Sequence, residues 1–165
     1  MPALSEIRNK IVSVMETVPN IGRVQPYQRY SNRQADLRDH YAFRGEIRGW
    51  FITRVGFRES NQEGGMRAIV NRWRIAGYMS WSDEATSELL FDGLVEQISD
   101  AFRAEQYLSG IGAESWVRDL AGVQGEDIGP VMFAGVLCHT ARLGLETIHF
   151  IEGPGEIEPD HVLAQ

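Results

Sequence analysis

The side chains suited to acid–base, nucleophilic or metal chemistry are few: four histidines, His40, His139, His149 and His161, and one cysteine, Cys138. Only Cys138-His139 sets two such groups side by side. Adjacent residues on a strand point to opposite faces, so this pair does not converge on one metal ion. The better reading is a strand-packed thiol next to a hydrogen-bonded or edge histidine. No glycine-rich phosphate loop leads into a helix, and Gly-x-Ser-x-Gly, His-Glu-x-x-His and Cys-x-x-Cys do not occur. Gly110-Ile-Gly112 is too short for a dinucleotide fingerprint and has no suitable strand before it. The acids after residue 75 could supply a catalytic carboxylate pair, yet spacing selects none of them. The residue types therefore argue for a protein that is not an enzyme and holds neither cofactor nor metal.

Charge is more informative. Of 16 basic residues only Lys10 is lysine, and the rest are arginine. Residues 23–74 carry 11 Arg against Asp36, Asp39, Glu46, Glu59 and Glu63, whereas residues 75–165 carry 3 Arg against 16 acids. The first stretch is thus strongly cationic and the second strongly anionic. Arginine pairs carboxylates through a rigid fork and is enriched at interfaces, so the segregation suggests two complementary interaction surfaces. Neutralisation of one half by the other inside a single fold is the competing reading. Duplex DNA suits the arginines less well, because the anionic half would repel phosphates and no patch interleaving lysine with aromatics is present.

Positioning of these groups follows from the hydrophobic pattern. Leu4, Ile7, Ile11, Val14, Met15 and Val18 have helical spacing, which predicts an amphipathic helix over 4–17 that stops before Pro19. A short edge strand is expected within Ile21–Tyr27, and Ser31-Asn-Arg-Gln34 matches a capping box for a short helix reaching about Tyr41. From Ile47 the period changes to two. Ile47, Phe51, Val55 and Phe57 share one face, and Arg48, Trp50, Ile52, Arg54 and Arg58 share the other. The turn Ser60–Gly65 leads to a return strand over 66–81, with Ile69, Trp73, Ile75, Met79 and Trp81 on one face and Arg72, Arg74 and Tyr78 on the other. This predicts a long β-hairpin with one core face and one ladder of arginine and aromatic side chains. Ser82-Asp83-Glu84 is expected to cap a long helix over about 83–104. Leu90, Leu94, Ile98 and Phe102 form its apolar stripe, while Glu84, Glu88, Asp92, Glu96 and Asp100 form an acidic stripe. That stripe faces either water or a basic surface. A Gly-containing link at Ser109–Ala113 precedes candidate strands over 116–123, 129–133 and 136–148, the last with Leu137, Ala141, Leu143 and Leu145 on one face. The order implies one α+β domain over 1–151: a mostly antiparallel sheet with a long hairpin, packed by an N-terminal helix and one long acidic amphipathic helix. Residues 152–165 read as an acidic, flexible tail.

At 165 residues the chain can bury a core without disulfides or metal, and a lone cysteine fits a reducing compartment. No stretch approaches the length of apolar residues needed to cross a bilayer, so no membrane contact is expected.

The hairpin end Trp73-Arg-Ile-Ala-Gly-Tyr-Met79, the acidic amphipathic helix, and the closing segment Ile128-Gly-Pro-Val-Met-Phe133, Gly135-Val-Leu-Cys-His139 with its long last strand together resemble the tail-terminator (tail-completion) proteins of long-tailed bacteriophages. The resemblance covers residues 4–150 and rests on element order and size. It implies a small structural subunit that closes into a ring, typically hexameric, capping the tail tube and joining it to the head or neck. Implied partners are further copies of the chain, the tail tube protein and a head-completion or neck protein, with DNA passing through the lumen without sequence-specific binding. The implied location is the virion tail or neck, after assembly in the host cytoplasm. On this reading Arg48, Arg54, Arg72 and Arg74 would face Glu88, Asp92 and Glu96 of a neighbour. The alternatives are another head–tail neck protein, such as a head-completion or stopper subunit, and a small-molecule-binding or acyltransferase-like α+β domain. The acyltransferase version lacks the glycine-rich pyrophosphate loop, and Trp81-Ser82-Asp83 in its place would repel that group.

Overall fold

The computed structural model describes residues 4–105, 108, 114–116 and 122–153. In chain order the elements are α1 (Leu4–Glu16), β1 (Arg23–Gln25), α2 (Gln34–His40), β2 (Ala42–Phe43), β3 (Glu46–Asn61), β4 (Met66–Ser80), α3 (Ser87–Ala104), β5 (Glu114–Trp116), β6 (Gln124–Phe133) and β7 (Val136–Glu152). The sheet runs β1-β3-β4-β7-β5, with β2 also on β3 and β6 also on β7. Every pairing is antiparallel except that of β1 with β3. The fold is mixed α/β on a mostly antiparallel sheet.

Helix α1 forms where the apolar spacing requires it and buries Ile7, Ile11, Val14 and Met15. It lies with α3 on one sheet face, where Trp50, Ile52, Trp73, Ile75, Met79, Ala141, Leu143 and Leu145 meet Phe91, Leu94, Ile98 and Phe102. The Trp50 ring stacks on Phe91 at 5.7 Å and 9°. Its indole N–H donates to the Ile21 carbonyl at 3.0 Å, so a fully buried polar group is satisfied. Room for this ring comes from Gly77, the cross-strand partner of Trp50, where an added Cβ would lie 2.2 Å from the indole.

The opposite sheet face buries Ala68, Val70 and Ile148 near the hairpin turn and a larger cluster at the other end. There α2 and the β2 region set Tyr41 and Leu37 against Ile47, Phe51, Ala76, Cys138 and Phe133. Elsewhere on this face Arg58, Arg72 and Arg142 are exposed.

Several expectations need correction. The core face of β3 is the Trp50/Ile52 face; Ile47 and Phe51 bury into the smaller second cluster, and Val55 and Phe57 are exposed. Both faces of the hairpin are covered at the end away from its turn, so period-two patterning alone does not name the main core. A bulge between Arg54 and Gly56 then inverts the alternation, placing Phe57 with Arg54 and turning Arg58 to the far face. No single arginine ladder exists: Arg48 and Arg54 share the helix face with Trp50, and Arg72 and Arg74 lie on the opposite face. The register, Arg54 against Trp73 and Thr53 against Arg74, imposes this split.

Two predicted caps also fail. Arg33 occupies the N-cap of α2 without a side-chain cap, and Ser31 Oγ accepts from Arg33 N–H instead. Helix α3 starts at Ser87, not 83, because Ser87 Oγ accepts from Ser82 N–H at 2.8 Å and holds residues 83–86 as turns. The loop at 60–65 contains a short 3-10 turn with Gly64 and Gly65 at φ 78° and 75°, a region that favours glycine. Strand β7 extends through Glu152, into the stretch expected to be tail. The expected link at 109–113, part of the 116–123 strand and residues 154–165 lie outside the described residues.

Replacing Gly77 with alanine drives a methyl into a ring that is packed on its other side by Phe91. We expect Gly77→Ala to destabilise the protein by about 1–3 kcal/mol, measured by urea unfolding. Gly45→Ala, with nothing within 4 Å of the new Cβ but a φ of 81°, is expected to cost less.

Candidate interaction surfaces

The outer face of α3 is the anionic surface. Glu84 just before the helix and Glu88, Asp92, Glu96 and Asp100 on it are all exposed. Asp100 pairs with Arg103 one turn on, but Glu84, Glu88, Asp92 and Glu96 form no ion pair among the described residues. Leu89 and Leu90 are 70% and 53% exposed beside them. Across a small cleft of about 110 Å³ that Glu88 and Asp92 also line, Ile128 on β6 is 52% exposed. Carboxylates bordering adjacent exposed leucines are a composition suited to docking more than to simple solvation.

The open sheet face is the cationic surface. Arg58 pairs with Glu146 at 3.5 Å and Arg74 with Glu126 at 3.2 Å. Arg72 and Arg142 form no ion pair among the described residues, although Glu146 and Asp127 are their respective cross-strand neighbours. Some of the anionic half is therefore used to neutralise the cationic half, through β6 and β7. The acidic stripe of α3 takes no part, because it lies beyond the helix layer on the other side of the sheet.

Of the residues proposed from sequence, Arg72 and Arg74 share the open face, and Glu88, Asp92 and Glu96 share the outer face of α3. Arg48 and Arg54 join neither set. Arg48 lies over Phe43 at 5.7 Å, donates to the Asn20 carbonyl and approaches Glu46 at 4.0 Å. Arg54 covers the Phe57 ring at 4.2 Å and forms no ion pair among the described residues. Sequence reasoning missed Arg142, whose place directly across the sheet from Ala76 is set by the β4–β7 register. Its position within an otherwise apolar alternating strand was the available signal.

His139 and His149 occupy structural positions. His139 is buried, stacks on Trp81 at 4.0 Å and on Phe91 at 5.5 Å, and its Nε2 lies 2.8 Å from Ser87 Oγ. This clamps the β4–α3 loop to the start of β7. A serine and a histidine at this distance resemble a nucleophile and its base, but both are only 4% exposed and the serine hydroxyl already serves the loop backbone. Cys138 points to the opposite face, fully buried, and burial pushes its thiol up to about 11. That is an inert thiol. His149 meets Asn71 at 3.4 Å, and Trp73 N–H donates to Thr147 Oγ1 at 2.9 Å, which closes a second buried polar group on the helix face. Among the described residues no group of His, Cys, Asp and Glu is arranged to hold a metal ion, and no helix is long and apolar enough to cross a membrane.

No family model matches this sequence. A search of curated proteins likewise finds no match.

Burial holds both His139 and His149 below the ordinary imidazole value of 6.5, against the pull of Glu88, Asp92 and Asp83 at His139 and with the help of Arg54 at His149. The folded state therefore binds fewer protons than the unfolded state just below that value. Their contribution to stability is complete above pH 6.5 and is lost as the pH falls through the lower folded values. Thermal melts should show Tm falling on acidification across this window, with a shallower slope in His139→Gln.

Proposed function

We propose that this chain is a virion structural subunit, a tail terminator that closes into a ring on the end of a tail tube and joins it to the head or neck. The observation that carries this reading is the placement of charge without ion-pair partners among the described residues on opposite sides of one sheet. The long acidic helix α3 presents Glu88, Asp92 and Glu96 on one side, and the open face presents Arg72 and Arg142 on the other, beside Arg74, which pairs with Glu126. Surfaces of opposite sign on opposite sides of a subunit favour heterologous, front-to-back contacts, which close into rings when the rotation allows. Charge matching of this type sets register and partner choice more than raw affinity. The resemblance in element order to tail terminators supplies the identity of the ring, with the tail tube and a neck protein as its axial neighbours. An anionic helix layer also suits a channel for DNA, since it attracts no phosphate.

Light scattering across protein concentration at low and high salt tests this directly. We expect a discrete ring-sized species that loosens as salt rises, visible by negative-stain electron microscopy as a particle with a central opening. Arg72→Glu with Arg74→Glu should weaken self-association by roughly a hundredfold. Adding Glu88→Arg and Asp92→Arg to that variant should restore it. A chain that stays monomeric at every concentration and salt, or a ring indifferent to the double reversal, would overturn the proposed interface.

A second reading, a small-molecule-binding domain, is favoured by one feature. A cleft of about 230 Å³ sets Arg48, Asn20 and Gln97 around the apolar side chains of Met79, Leu90 and Leu94. A metabolite panel read by thermal shift separates the two, because only a binder gains stability from a small ligand.

A further inference from the structure

The open sheet face holds a cleft of about 150 Å³ in which hydrogen-bond donors converge. Phe51, Val55 and Ala76 contribute its apolar lining, and Thr53, Arg74, Tyr78, Arg142 and Gln28 its polar lining, with the Gln28 amide oxygen already accepting from the Tyr30 hydroxyl. Thr53 Oγ1 is buried and has no hydrogen-bond partner. A hydroxyl in that state costs free energy unless a ligand satisfies it, so its persistence here requires an explanation. Arg142 forms no ion pair among the described residues. Arg74 meets Glu126 through Nε alone, which leaves its Nη nitrogens free to donate. Burial raises the pKa of the Tyr78 phenol, opposed by the nearby Arg142, and the phenol stays protonated as a donor. Two hydroxyls and two guanidiniums around one small volume make a cationic, donor-rich socket.

We propose that this cleft binds a small oxyanion, of the carboxylate or phosphate class. A planar guanidinium fork takes two oxygens of such a group, and the hydroxyls take a third. The same chemistry has two sources: a free anion, or an acidic side chain presented by a second copy of the chain. The site stands on the cleft's own geometry and does not depend on the ring.

Inorganic phosphate, titrated at constant ionic strength against chloride, is the probe. In the wild-type chain it should raise Tm saturably by about 3 °C, and Arg142→Gln should abolish the rise. Thr53→Val is the sharper variant. Removing an unpartnered buried hydroxyl should leave the free protein as stable as before, or more so, while diminishing the phosphate response. Saturable binding that is abolished in Arg142→Gln and diminished in Thr53→Val establishes a free-anion site. If phosphate acts no differently from chloride, yet Arg142→Glu weakens self-association and Arg142→Glu/Asp92→Arg restores it, the oxyanion is a neighbour's carboxylate. A phosphate response that survives in Arg142→Gln, or the failure of both arms, overturns the proposal. A ring that persists in Arg142→Glu without any phosphate response would remove the cleft and leave the assembly reading intact.

Discussion

The sheet–helix junction depends on one packing constraint: the Trp50 indole must lie flat over Gly77 and beneath Phe91. The ring occupies the space that a side chain at position 77 would fill, and its N–H is tied to the Ile21 carbonyl. The strand pair, the loop after α1 and helix α3 are thereby fixed to one another at a single point. Because Trp50 must point into the helix layer, every residue of matching parity on β3 must do so as well, Arg48 and Arg54 included. The residues that pair with them in register, Trp73, Ile75 and Met79, complete the same layer.

This placement decides the electrostatics of the molecule. With Trp73 inward, Arg72 and Arg74 necessarily turn outward to the face that no helix covers at its centre. With Phe91, Leu94 and Ile98 inward, the carboxylates at 88, 92 and 96 turn to the far side of α3. Opposite charges end up on opposite surfaces, separated by two layers of side chains and unable to neutralise each other within the chain. The ion pairs that do form join neighbouring strands or successive helix turns, as with Arg74–Glu126, Arg58–Glu146 and Arg103–Asp100. Exposed pairs of this kind contribute little stability, and their effect is to tune the surface potential.

Polar groups are spent in two ways. Some are structural: Ser87 and His139 hold the loop before α3, and Trp73 and Thr147 close the opposite end of the helix face. Others are buried without a partner, Thr53 Oγ1 on the open face and Arg48 Nε, Arg54 Nε and Asn71 Oδ1 on the helix face.

Much of the fold was legible in the residues. The spacing of Ile7, Ile11, Val14 and Met15, the paired period-two runs around Gly64-Gly65, and the Leu94, Ile98 and Phe102 part of the expected helix stripe each reflect a local periodicity that the backbone must obey, whereas Leu90, expected in that stripe, is exposed and Phe91 takes its place in the core. The segregation of arginine from acid was equally plain, because charge is a property of composition. Register, bulge and cover were not. The bulge at Val55 has no composition signal strong enough to announce that Phe57 and Arg58 exchange faces. Which of two plausible faces of β3 becomes the main core depends on where α1 and α3 land, a long-range event. Arg142 joins Tyr78 and Arg74 only because β7 pairs with β4 in one particular register. By itself, then, the sequence determined the elements and the two pools of charge, since both follow from local pattern. Only the tertiary structure decided that the arginines divide between two faces and that the acids lie across the sheet from them, because strand register and helix cover are set by contacts between residues far apart in the chain.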